Sequence, residues 1–172
     1  MANPEINLAN AHLRRKLSSQ RYAPMFQLTP ASTLHWNFGL AWIAFAIAVA
    51  LHVADEASHD FLATYNPNAL AIRRRLHIPF PPVFTLRSFL ALLSSGVCFL
   101  LLLSPFALHG AHWIRIVALP LGILVGIGNG CLHIGASLFY RRWMAGILTS
   151  PILLIAGSWL LWSACHGAHA LF

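Results

Sequence analysis

His52, Asp55, Glu56, His59 and Asp60 crowd into residues 51–61, LHVADEASHDF, at the far end of an otherwise apolar run. Three of the chain's four acidic residues stand here. At about 100° per residue, His52, Asp55, Glu56 and His59 occupy offsets i, i+3, i+4 and i+7, within about 100° of arc on one helical face. Such a stripe aims several imidazoles and carboxylates at one point. Groups of these types either pass protons as acids and bases or ligate a divalent metal such as zinc, iron or manganese. Ionisable residues inside a membrane segment are costly and face a protein interior or a wet cavity, so the stripe reads first as a functional site.

The elements that must position the stripe are membrane helices. The chain is 58% apolar and 9% charged, with a mean hydropathy of +0.68, outside the range of a soluble domain. A spanning helix needs about 20 mostly apolar residues, and four segments qualify: Leu34 to Ala57, Val83 to Leu108, Trp113 to Tyr140 and Ile147 to Leu171. The expected fold is therefore all-α, a four-helix transmembrane bundle forming a single domain over residues 31–172. A basic, polar segment, residues 1–30, precedes it and carries no apolar stretch of signal-peptide type; a short surface helix is expected around Leu8 to Leu17.

The formal charge of +7 suggests nucleic acid until the cations are located. Arg14, Arg15, Lys16 and Arg21 precede the first span, Arg73 to Arg75 lie between spans one and two, and Arg141 and Arg142 lie between three and four. These positions suit anionic lipid headgroups, and nearby tryptophans suit an interfacial belt, so the expected partners are membrane lipids and not nucleic acid. Positive-inside counting leans toward a cytoplasmic location for the acidic stripe. Cys98, Cys131 and Cys165 have no CxxC spacing and read as apolar fillers. Asn66-Pro67-Asn68 reads as a stop and turn, followed by a short interfacial helix over Leu70 to Ile78. Pro120 is expected to bend span three, whereas Pro151 sits where a first turn tolerates it.

Depth selects the partners of the stripe. Spans one and three run in the same direction, and His52 to Glu56 and Asn129 to His133 each lie about 25 Å along their helices. Gly122, Gly126 and Gly130, four residues apart, form a flat ridge on span three that lets another helix approach closely. His35, His109, His112, His166 and His169 fall at the opposite membrane edge and are excluded from the site.

His52-Val-Ala-Asp55-Glu56, followed by Asn129-x-x-x-His133-Ile-x-x-Ser137 and Arg141-Arg142-x-x-Ala-Gly146-x-x-Thr149, resembles the HXXEE-motif family of small bacterial membrane proteins. Asp55 stands where the motif's first glutamate is expected, which keeps the charge and shortens the reach. The resemblance covers most of the hydrophobic region, and it implies the location of a site rather than its reaction. With it goes the expectation of a bacterial inner, cytoplasmic, membrane.

Three chemistries fit these residues. A mononuclear metal site would use His52, Glu56 and His133, with His59 or Asp55 added or behind them. A cofactor-free site would use His52, Asp55, Glu56 and His133 as catalytic acids and bases on an isoprenoid or other lipid-like substrate, with Asn129 and Ser137 orienting it and the paired carboxylates coupled. A non-enzymatic alternative is a proton or metal-ion pathway, a binding protein, or polar glue between helices worth about 1 kcal/mol per group. Five converging polar groups exceed what glue requires. The expectation is an enzyme, by a narrow margin an acid/base isomerase, cyclase or hydrolase, with either no cofactor or a divalent metal.

Overall fold

Where water is excluded a backbone must satisfy its own hydrogen bonds, and every regular element among the described residues is helical. The computed structural model describes residues 30–166, with side chains from residue 37 on. The basic segment with its expected helix at Leu8 to Leu17, the side chain of His35 and all of His169 lie outside them. The elements are α1 (Pro30–Ser58), α2 (Phe61–Leu76), α3 (Leu86–Leu108), α4 (His112–Pro120), the π-helix π1 (Leu121–Gly128), α5 (Asn129–Tyr140) and α6 (Ser150–His166).

Among the described residues three helices are long and apolar enough to cross a membrane: Asn37–Ser58 within α1, Leu86–Leu108, and the continuous rod His112–Tyr140 built from α4, π1 and α5. At 22 residues the first is about 33 Å long, against about 30 Å of hydrocarbon. The described part of the fourth segment differs from expectation. α6 has 17 residues and begins at Ser150, not Ile147. The preceding residues turn through Gly146, whose φ of 84° interrupts any helix there.

Asn66-Pro67-Asn68 is not a turn, and the helix expected after it is longer than expected, because α2 runs straight through that tripeptide. The reversal comes earlier, at Asp60, whose φ of 51° lies in the left-handed region that a short polar side chain tolerates. The asparagines work on either side of the proline. Asn66 donates to the Phe84 carbonyl at 2.8 Å and accepts from the Phe84 N–H at 3.0 Å, while Asn68 donates to the Thr64 carbonyl at 3.0 Å. Asn66 thus ties α2 to the strand of chain that enters α3, which a Thr85–Ser88 capping box then starts.

Pro120 changes the winding of its helix. It offers no N–H, and the next eight residues wind as a π-helix, a form that places i→i+5 bonds and widens the turn. Through this widened stretch the glycine ridge faces α6. A Cβ on Gly126 would stand 2.7 Å from Gly157 Cα, and one on Gly130 would stand 2.8 Å from Leu154 Cγ. On the other flank α1 supplies Phe38, Trp42 and Phe45, all fully buried against Ile114, Leu153 and Leu160. The Trp42 indole donates to the Leu100 carbonyl of α3 at 2.9 Å. In α1 44% of the spanning window is buried, against 28% for the His112–Tyr140 rod and 11% for α3.

This backbone contact gives a test. Gly126→Ala is expected to destabilise the protein by about 1–3 kcal/mol, because Gly157 opposes it with main chain that cannot give way. Gly135→Ala, where nothing lies within 4 Å, is expected to be neutral or to gain about 0.5–1 kcal/mol of helix propensity. Unfolding of both variants in detergent, followed by circular dichroism, checks the contrast.

Candidate functional site

Glu56 lies one helical turn after His52, and α5 brings His133 to the same point. His133 Nε2 is 3.0 Å from Glu56 Oε1, His52 Nε2 is 3.6 Å from that same oxygen, and one ligand atom from each residue lies within 4.8 Å of the others. All three residues are buried. The two imidazoles meet edge to face, with centroids 4.7 Å apart.

Proton counting assigns the ring tautomers. His133 Nδ1 faces the Ala145 carbonyl at 2.6 Å, and a carbonyl only accepts, so Nδ1 carries the proton. The chain through His52 is longer. Thr149 donates its single hydroxyl proton to Asp55 Oδ2 at 2.9 Å, a better acceptor than the Gly146 carbonyl at 3.4 Å. The hydroxyl oxygen therefore accepts from His52 Nδ1, 2.9 Å away. Both histidines are thus held by an Nδ1–H and leave Nε2 as an acceptor on the side of Glu56. Asn129 Nδ2 donates to the lone pair of His52 at 3.0 Å. Between His133 and Glu56 two acceptors face each other at 3.0 Å, and that contact requires a proton or a metal ion.

The segment between α5 and α6 makes the histidine tethers. Its Gly146 packs so tightly on the imidazoles that a Cβ would stand 2.7 Å from His133 Nδ1 and 2.9 Å from His52 Cε1. Only glycine combines that clearance with a φ of 84°. The Thr149 N–H also donates to Asp55 Oδ2, at 3.2 Å. Thr149 immediately precedes α6, so the Asp55 carboxylate sits at the N-terminus of that helix, where unpaired N–H groups and the helix dipole favour an anion.

Of the residues singled out in the sequence, His52, Glu56, Asn129 and His133 come together. Asp55 is buried but turns the other way. Its carboxylate serves Thr149 and, through Oδ1, His59 Nδ1 at 2.8 Å. His59 stands with Asp55 and not with the His52–Glu56–His133 group, and its side chain is 53% exposed. Ser137 accepts from the Met144 N–H at 3.3 Å, a bond internal to the chain. His109 and His166 each bond a carbonyl of their own helix, at the expected opposite end.

The chain matches no family model, no curated protein and no solved structure. The site is therefore interpreted from its own geometry. Sequence reasoning gave no role to Thr149, Gly146 or Phe61. Thr149 and Gly146 were visible as fixed points of the Ala-Gly146-x-x-Thr149 block, whereas Phe61, whose ring centroid lies 5.7 Å from that of His133, gave no signal at all.

Thr149→Val keeps the shape and removes the hydroxyl that joins Asp55 to His52. It is expected to cost about 1–3 kcal/mol, the penalty for stranding buried polar partners, while Thr149→Ser retains most of the stability. Thermal unfolding of the three proteins in one detergent measures the difference.

Proposed function

We propose that α6 joins the three long apolar helices in a four-helix transmembrane bundle, and that the protein is an intramembrane enzyme acting on a lipophilic, isoprenoid- or lipid-like substrate. Its acid/base chemistry is centred on His52, Glu56 and His133 and assisted by a divalent metal. The observation that carries this reading is the pair of Nε2 atoms grouped on one carboxylate oxygen, each imidazole held from behind by an Nδ1–H bond, as metal-ligating histidines commonly are; Asn129, which donates to His52 Nε2, would yield that lone pair to an ion. Ligands at about 2.0–2.1 Å in a tetrahedron stand about 3.3 Å apart, and the separations of 3.0 and 3.6 Å bracket that value.

Two histidines and a glutamate leave room for a further ligand, which is what catalysis at such a site requires. A bound ion would polarise a substrate oxygen or a water. Asn129, whose Nδ2 donates to His52 Nε2, would be released by an ion there to orient whatever binds. The resemblance to the HXXEE-motif family belongs to the same proposal, as does a bacterial inner membrane location.

The alternative of a proton pathway has one observation in its favour, the bonded series from exposed His59 through Asp55 and Thr149 to His52. Toward the other end of the helices, however, α1 presents Phe38, Trp42 and Phe45, fully buried in an apolar core. The series feeds the site, and among the described side chains of α1 none before His52 is ionisable.

Protein purified without chelator is expected to hold one divalent ion per chain by elemental analysis, and Glu56→Gln and His133→Ala to lose it. Thr149→Val is expected to weaken binding about 10–100-fold through His52. Protein that retains no metal and binds none on titration with zinc, iron(II) or manganese sinks the metal-assisted version. Separately, proteoliposomes are expected to show no proton flux above empty vesicles; flux that disappears in Glu56→Gln would establish the pathway instead.

A further inference from the structure

An open groove of about 290 Å³ lies beside the end of α5, with Ile134, Ser137 and Leu138 of the helix on one side and Arg142, Trp143 and Ile147 of the following chain on the other. Arg141 joins them at the turn, and among the described residues the charged groups on its walls are these two arginines. The His52–Glu56–His133 group does not line it, so an ion held there leaves the sign of the groove unchanged. Arg142 also borders a cavity that contains Asp60, yet no ion pair among the described residues joins either arginine to a carboxylate.

The backbone puts both guanidinium groups at this point. α5 ends in a Schellman turn, in which the Arg141 N–H donates to the Leu138 carbonyl at 3.3 Å and the Arg142 N–H to the Ser137 carbonyl at 3.2 Å. Two carbonyls that would otherwise repel an anion are thereby occupied. Arg141 takes the left-handed position of that turn, with φ of 50°, where glycine is the usual residue. Strain of this kind persists at ligand sites, where the side chain has work that glycine could not do. The Arg142 guanidinium is steered by the Tyr140 ring, 5.7 Å from its centroid. Ser137 accepts from the Met144 N–H, and among the described residues its own proton has no acceptor, so the hydroxyl remains a donor at the groove.

Depth and wall chemistry select the occupant. The rod that ends at Tyr140 has 29 residues and is about 43 Å long, against about 40–45 Å for a bilayer with its headgroups. Arg141 and Arg142 follow directly, at the level of lipid phosphates. Arginine suits a phosphate because its planar fork can donate two parallel bonds. Below the arginines the wall is apolar: Ile134 lies one turn deeper than Leu138, which is 74% exposed and open to an acyl chain. Trp143, 80% exposed, supplies the amphipathic ring that favours the interface. At about 30 Å³ for each water-sized group the groove holds about ten heavy atoms, the size of a phosphate with its glycerol. A zwitterionic head would bring its own cation to two arginines, and a free phosphate would leave the apolar wall uncovered.

We propose that this groove binds one phospholipid of net negative charge, its phosphate held by Arg141, Arg142 and the Ser137 hydroxyl and one acyl chain laid along Leu138 and Ile134. The proposal requires that the long helices cross a membrane and is independent of the metal and of the reaction.

The test uses the full chain in dodecyl maltoside, titrated with phosphatidylglycerol or phosphatidylcholine and followed by native mass spectrometry. The first phosphatidylglycerol is expected to bind at least tenfold more tightly than phosphatidylcholine, and a phosphatidylglycerol bearing a diazirine near its head to label Leu138, Trp143 or Ile147. The double variant Arg141→Gln, Arg142→Gln should bring its affinity down to that of phosphatidylcholine, and Ile134→Trp, which fills the groove and keeps both charges, should lower the labelling. Arg73→Gln with Arg74→Gln, at the end of α2, should leave that first binding event intact. Equal binding of the two lipids, or full binding by the Arg141/Arg142 variant, overturns the proposal. So does displacement of the lipid by glycerol phosphate at the same concentration, which would make the groove a site for a soluble phosphate.

Discussion

A carboxylate shut away from water must find donors, and in this bundle Asp55 finds them at the start of α6. The Thr149 N–H and hydroxyl both end on Oδ2, with the positive end of a helix dipole behind them. That interaction fastens the segment between α5 and α6 across the end of α1. Because the Thr149 proton is committed to Asp55, its oxygen is left to accept from His52, and the orientation of the imidazole follows. The same segment carries Ala145, whose carbonyl sets the orientation of His133. One buried carboxylate thus controls the direction in which two histidines present their lone pairs.

Close packing makes this arrangement affordable. α6 can begin beside α5 because glycines on π1 and α5 let the two backbones meet, Gly126 against Gly157 and Gly130 beside Ser150. The Ser150 hydroxyl in turn donates to the Gly146 carbonyl at 2.6 Å, fixing the turn that passes over the imidazoles. The widened π1 lies immediately before Asn129, and π-helical winding recurs at functional sites because it changes which residues face inward. Packing, turn and site are therefore one construction and cannot be altered separately.

Much of this was legible in the sequence for reasons of period and depth. The i, i+4 spacing of His52 and Glu56 put them on one face, and equal distance along parallel helices chose His133 over the histidines at the far end. Non-local contacts were not legible. Helical spacing sets adjacent Asp55 and Glu56 about 100° apart, but it does not say that Glu56 meets α5 and Asp55 the start of α6. Asn66-Pro67-Asn68 has the composition of a turn, yet Asn66 is consumed by Phe84, eighteen residues away, and the helix survives. Hydropathy likewise extended the last segment back to Ile147, because it has no means of registering a left-handed glycine whose position is dictated by two imidazoles.

The division of labour between Asp55 and Glu56 also bears on why the shorter acid occupies position 55. Glu56 must reach across from α1 to His133 on α5, and its longer arm places Oε1 at 3.0 Å. Asp55 needs no such reach, since the loop comes to it: Thr149 stands at 2.9 and 3.2 Å from Oδ2, and His59, one turn on, stands at 2.8 Å from Oδ1. The aspartate thus fits an anchoring role, and the glutamate the longer reach to His133.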